Sequence, residues 1–146
     1  MLNTAVVTVG RLLEVRICAG YKSATDVDTL FNAIGAATQR IPMAQRVVVA
    51  ADWRRCPIMS GEAAQQAVAR LTRTNPRTER SAALVLKDSP AAMLQFTRLV
   101  REAHHPDRKL LYTTRDMMDW LSPLLSAAET ARLKDFLGAD ISALPS

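Results

Sequence analysis

The chain is poor in the residues from which small catalytic and metal sites are usually built: its 146 residues include 2 cysteines, 2 histidines and 5 glycines. Cys18 and Cys56 stand far apart, which argues against a disulfide framework and against a CxxC metal pair. Such sparing cysteine use fits a reducing cytoplasm. There is no glycine-rich phosphate loop, nucleophile elbow, zinc signature or paired-carboxylate motif. A non-enzymatic protein without a resident cofactor or metal is therefore expected. Aromatic residues make up only 5% of the chain, too few for a stacking platform, so nucleic acid is not an expected partner. No uninterrupted apolar run approaches the ~20 residues of a membrane-crossing helix. Residues 1–9 lack the basic start and small-residue cleavage site of a secretory signal and alternate like a strand, so export is not expected either.

What is present is a core. Hydrophobic residues form 49% of the chain, and a single domain over 1–146 can bury roughly two-thirds of its unfolded surface. The formal net charge of +5 comes mainly from arginine, whose planar fork suits carboxylates and phosphates.

Three short apolar runs at 47–51, 81–86 and 108–113, each followed by a helical pattern, predict an α/β fold. Upstream, 5–9 and 12–17 read as two strands around Gly10-Arg11, with Leu13, Val15 and Ile17 alternating against Glu14 and Arg16, as an antiparallel sheet edge would. Ser23-Ala24-Thr25-Asp26 has capping-box spacing, and Val27, Leu30, Phe31 and Ile34 repeat at helical intervals up to the Ile41-Pro42 step. The 47–51 run is apolar on both faces, as a central strand under helices must be, and it ends at Asp52. A helix over 61–74 carries a narrow stripe of Ala64, Ala67, Val68 and Leu71. Ser89-Pro90 opens another, with Met93, Leu94, Phe96, Thr97, Val100 and Ala103 as its buried side and His104-His105-Pro106 as its stop. A short helix follows with Met117, Met118, Trp120 and Leu121. Ser126-Ala127-Ala128-Glu129 is a full capping box for a last helix with Leu133, Phe136 and Leu137, closed by Gly138 and followed by a loose tail. The order β-β-α-β-α-β-α-β-α-α describes one unit, a mixed sheet of about five strands with helices packed against it.

This order, with Asp52 at a strand end and Ser60-Gly61 at the next helix start, resembles STAS-like domains, the SpoIIAA-like fold of bacterial anti-sigma-factor antagonists. In that family such a Ser-Gly pair opens the helix that carries the regulatory phosphorylation site. The resemblance implies a bacterial, cytoplasmic protein-interaction module. Its loop departs from the pattern: Trp53-Arg54-Arg55-Cys56-Pro57-Ile58-Met59 is shorter and lacks the acidic residue and second hydroxyl that normally precede the glycine. Asp116-Met117-Met118-Asp119-Trp120-Leu121 is also similar to the bacterial branch related to the Sec14 lipid-carrier fold, in which the last strand is followed by a helix bearing a Trp-Leu pair. The likeness spans about residues 5–122 and leaves the 126–138 helix as an addition.

Ser60 has two readings. It is a simple N-cap hydroxyl, or, with the free amides and positive dipole end of a helix, an anion or phosphate site reinforced by Arg54 and Arg55. Trp53, Ile58 and Met59 beside two arginines have the composition of a protein interface, unless Trp53 and Ile58 fold inward over the sheet's end. The candidate partner-binding or regulatory set is Asp52, Trp53, Arg54, Arg55, Ile58, Met59, Ser60 and Gly61. Cys56 has no local base to make it a nucleophile. Glu102, His104, His105 and Asp107 lack the i,i+4 histidine spacing of a helical metal pair, and capping at a helix end accounts for the histidines. Arg70, Arg73, Arg77 and Arg80, and a second scatter of Arg98, Arg101, Arg108 and Lys109, read as solvated faces; merged into one patch they would suit an anionic partner.

The leading expectation is a non-enzymatic regulatory module that binds another protein through the 53–61 loop, with Ser60 as its switch. An alternative is a Sec14-like carrier or sensor of a small apolar ligand, with a pocket lined by Met93, Phe96, Met117 and Trp120. A further alternative is a homodimeric scaffold in which an exposed apolar helix is covered by its twin.

Overall fold

Strand direction and strand order together decide which face of the sheet each helix covers. The computed structural model describes residues 3–141, leaving aside the side chains of 139–141. β1 (Thr4–Val7) pairs antiparallel with β2 (Leu12–Arg16). β3 (Val47–Asp52), β4 (Thr78–Leu84) and β5 (Arg108–Leu111) then follow parallel to β2, in the sheet order β1-β2-β3-β4-β5. Because the parallel strands advance in one direction, right-handed crossovers place α1 (Ala24–Thr38), α2 (Gly61–Thr74) and α3 (Pro90–Glu102) on one face. α4 (Thr114–Leu121) and α5 (Ala127–Ile141) cover the other. The element order and the mixed five-stranded sheet are those expected from the sequence. None of the helices is long and apolar enough to cross a membrane, among the described residues.

The period-two alternation of β3 feeds two cores. Val47, Val49 and Ala51 pack with Val27, Phe31 and Ala67 of the first helical layer, while Val48 and Ala50 pack with Met117, Leu133 and Phe136 of the second. Burial on both sides is why this strand is apolar throughout. The last helix is therefore more than an appendage: Leu133, Phe136 and Leu137 close the second face.

Several boundaries differ from the sequence reading. α1 ends at Thr38, and bonds from Arg40 N to Ala37 O and from Ile41 N to Thr38 O continue as turns that drop Ile41 into the core. β4 begins at Thr78, ahead of the apolar run, because Thr78 pairs with Val47 across a register shift; it ends at Leu84 opposite the end of β3. β5 stops at Leu111 because Thr113 turns into the N-cap of α4, its hydroxyl accepting from Asp116 N at 3.0 Å. On α3, Leu94 and Thr97 face solvent, and Leu99 takes the buried position that completes a stripe with Phe96 and Ala103. Gly138 does not close the last helix. It lies inside α5, and Gly10 (φ 57) is the single described glycine in the left-handed region. The expected loose tail at 142–146 lies outside the described residues.

Candidate functional site

β3 delivers Asp52 to the C-terminal edge of the sheet, and the chain turns around its carboxylate. Asp52 Oδ1 accepts from the backbone N and the Nε of Arg54, at 3.1 and 2.9 Å, and Oδ2 accepts from Arg54 Nη2 at 3.1 Å and Arg16 Nε at 3.2 Å. Arg54 Nη2 also donates to Leu137 O, and Arg16 Nη2 to Phe136 O. The guanidinium expected to support an anion at Ser60 is thus buried, joining the sheet edge to α5. Arg55 is half-buried beside it.

Ser60 lies where the sequence puts it, exposed at the start of α2. Its Oγ accepts from Ala63 N at 3.1 Å and donates to Lys22 O at 2.9 Å, so the N-cap role is filled. Gly61 is exposed next to it. The two readings of the loop divide between its residues. Ile58 faces outward, 49% exposed. Met59 is buried, its backbone clamped by Gln95, whose Oε1 accepts from Met59 N and whose Nε2 donates to Met59 O, both at 2.8 Å. Trp53 turns in against Phe96, with ring centroids 5.4 Å apart. Gln95 carries no sequence signal, since its partner is a backbone 36 residues away.

Trp53, Cys56 and Met59 line a cavity of 360 Å³ between the sheet and the α1–α2 layer. Its floor includes Leu13, Val15 and Val49, and its roof Val27, Phe31 and Leu71. The space has a packing origin: Ala51 and Ala83 on the sheet and Ala67 on α2 are small side chains among larger lining residues such as Phe31 and Trp53. Tyr21 also lines it, 6% exposed, and its buried hydroxyl has no hydrogen-bond partner among the described residues. An unmet polar group of this kind costs about 1–3 kcal/mol in an otherwise closed core. Burial, with smaller contributions from Cys56, Asp26 and Cys18, holds the phenol above the usual tyrosine range. Burial likewise pushes the Cys56 thiol up to about 12, so it stays protonated at neutral pH.

The pocket expected from sequence is not assembled. Met93 and Phe96 belong to the core on the α1–α3 side and Met117 and Trp120 to the core on the α4–α5 side, with the sheet between them. No group of three or more His, Cys, Asp or Glu side chains is placed to hold a metal, among the described residues. His105 Nδ1 accepts from Asp107 N at 3.0 Å, so Nε2 carries the hydrogen and donates to Thr78 O at 2.8 Å. The basic scatter comes together only in part, with Arg70, Arg73, Arg77 and Arg108 lining the same cavity. Arg80 and Lys109 lie over the Trp120 ring at 4.1 and 4.0 Å, Arg98 pairs with Glu102, and Arg108 is buried.

No family model and no curated protein matches the chain. Among solved structures it is similar to the crystal structure of an uncharacterized protein from the DUF3478 family with a SpoIIAA-like fold, from Shewanella loihica PV-4. The TM-score is 0.57 at 17% identity, covering 83% of this chain and 96% of that one. The likeness shows the fold: this chain has a SpoIIAA-like fold, in keeping with its STAS-like resemblance.

Proposed function

We propose that this chain is a non-enzymatic cytoplasmic module that binds a small apolar molecule in the cavity beneath α1 and α2. The observation that supports this most is the cavity itself, 360 Å³ of space walled mainly by aliphatic and aromatic side chains around a buried tyrosine hydroxyl without a partner among the described residues. Its size falls within the ~300–1,000 Å³ of small-molecule sites, which are mostly apolar with a few placed polar groups. Interiors of this chain length otherwise pack like organic crystals. The test is native mass spectrometry of the protein incubated with dodecanol. Wild type should retain one molecule, and Ala67→Leu, which grows a side chain into the space, should retain none. No adduct in wild type, or equal adducts in both, would sink the reading.

A second reading, partner docking with Ser60 as a switch, is supported by the division of the 53–61 loop. Trp53 and Met59 line the cavity, while Ile58 and Ser60 of the same loop face outward. In this reading the loop presents cavity occupancy to a protein partner. A phosphate on Ser60 would remove the proton that its Oγ donates to Lys22 O and place negative charge at the start of α2. Ile58→Asp should then abolish partner binding in a pull-down without lowering stability; unchanged recovery of the same partner counts against docking at this loop.

A further inference from the structure

Deepening the ligand reading above, on which it rests, we infer that the cavity takes a single-chain anionic amphiphile, its chain beneath α1 and α2 and its head group at a mouth framed by Arg73, Arg77 and Arg108. All three arginines line the cavity, where the C-terminal ends of α1 and α2 meet the starts of β4 and β5. None has a counter-carboxylate among the described residues. The Arg73 side chain is exposed and makes no hydrogen bond among the described residues. Arg77 donates to the carbonyls of Ile41, Pro42 and Gln45 and to the sulfur of Met43. Arg108 is only 8% exposed, yet its donors meet Asn75 Oδ1, Leu71 O and the hydroxyls of Thr74 and Thr78, all neutral.

A buried guanidinium among neutral acceptors is costly, because charge is normally buried only with its counter-charge. An anion at the adjoining mouth supplies it. Arg70, one turn earlier on α2, already holds Asp28 at 3.0 Å, so the deficit lies with the other three. Arg73 complements the carbonyl end of α2 and Arg77 serves carbonyls of the loop after α1, whereas Arg108, the buried one of the three, meets that helix end with a single bond and lacks a counter-charge. Beyond the arginines the floor is aliphatic, through Val47, Val49, Leu13 and Val15, which suits one chain with one charged head.

Trp53 lines the cavity and Trp120 packs on the other face of the sheet, so in a Trp120→Phe background tryptophan fluorescence reports occupancy. Dodecanoate and dodecanol differ only in the head. Both should perturb the emission, with dodecanoate binding about tenfold more tightly. Arg73→Gln combined with Arg77→Gln should remove most of the preference for dodecanoate, Arg108 keeping the remainder, and leave dodecanol unchanged. Arg73→Gln alone, at an exposed side chain without polar contacts among the described residues, should carry part of that loss without disturbing the fold. Equal affinity of the two probes, or an undiminished preference in the double variant, overturns the head-group assignment and leaves the cavity reading standing. Failure of both probes to bind overturns the reading and the inference together.

Discussion

Asp52 and Arg54, two residues apart, form a buried ring at the edge of the sheet in which one carboxylate accepts from both the amide and the guanidinium of the same arginine. Arg16 joins from β2, and both arginines reach carbonyls of α5. Asp52→Ala strands two guanidiniums in a largely dry site and is expected to cost about 3–5 kcal/mol in urea unfolding. A loss under about 1 kcal/mol would show that α5 is held by its apolar face alone.

A second carboxylate fastens the opposite edge. Glu129 Oε1 accepts from Ser126 N at 2.8 Å and Oε2 from Arg11 N at 2.7 Å, tying the start of α5 to the β1–β2 turn. Burial alone would raise this carboxyl, but hydrogen bonds from the backbone of Ser126 and Arg11 outweigh it and hold the group below the usual range. A depressed folded-state value contributes stability that is present above the unfolded value near ~4.3 and is lost as pH falls below it. Wild type should therefore lose stability on acidification below about pH 4 more steeply than Glu129→Gln, which starts about 1–2 kcal/mol lower at neutral pH. Parallel curves for the two proteins would remove Glu129 from the account.

Gly10 faces that carboxylate in the left-handed region, where a Cβ would collide with Glu129 Oε2. Gly10→Ala should cost about 1–3 kcal/mol. Two other substitutions should stabilise. His104 leaves α3 at φ 56, a conformation glycine adopts without a steric penalty, and Gly138 sits within α5 with open space around it. His104→Gly and Gly138→Ala are each expected to add about 0.5–1 kcal/mol, read as a rise in Tm of roughly 2–4 °C. Destabilisation by Gly138→Ala would mean that the position needs glycine after all.

The two cysteines should react on different timescales. Cys18 is partly exposed, whereas Cys56 is buried in the cavity wall with its thiol held at about 12. An aromatic disulfide reagent at neutral pH should titrate one thiol in the native protein and the second only on unfolding. Two thiols reacting at one rate in the native state would show that the 53–61 loop opens freely.

Much of the fold was legible because it is written in local patterns. Ser23, Ser60, Ser89 and Ser126 all lie at the helix starts their spacing predicts, and in each case the hydroxyl accepts from an amide three residues on. The apolar run at 47–51 announced a strand buried on both faces. The register of α3 was not legible, because Leu94 is as apolar as Leu99 and only the way the helix is turned against the sheet separates an exposed position from a buried one. The cavity was placed wrongly for a related reason. Met93, Phe96, Met117 and Trp120 share a chemistry, yet a strand order that sends the early helices to one face and the late ones to the other keeps them apart.

By itself, then, the sequence determined the elements, the serine caps at their helix starts, and the arrival of Ser60 at the outside of one of them, since each depends on hydrogen bonds and side-chain periods within a few residues. Tertiary structure alone decided that Arg54 turns inward to Asp52, that alanines on facing layers leave a space, and that Tyr21 and Arg108 line it from elements 87 residues apart in the chain. Which charges are neutralised and where volume is left over depend on distances between elements, and no local pattern encodes those.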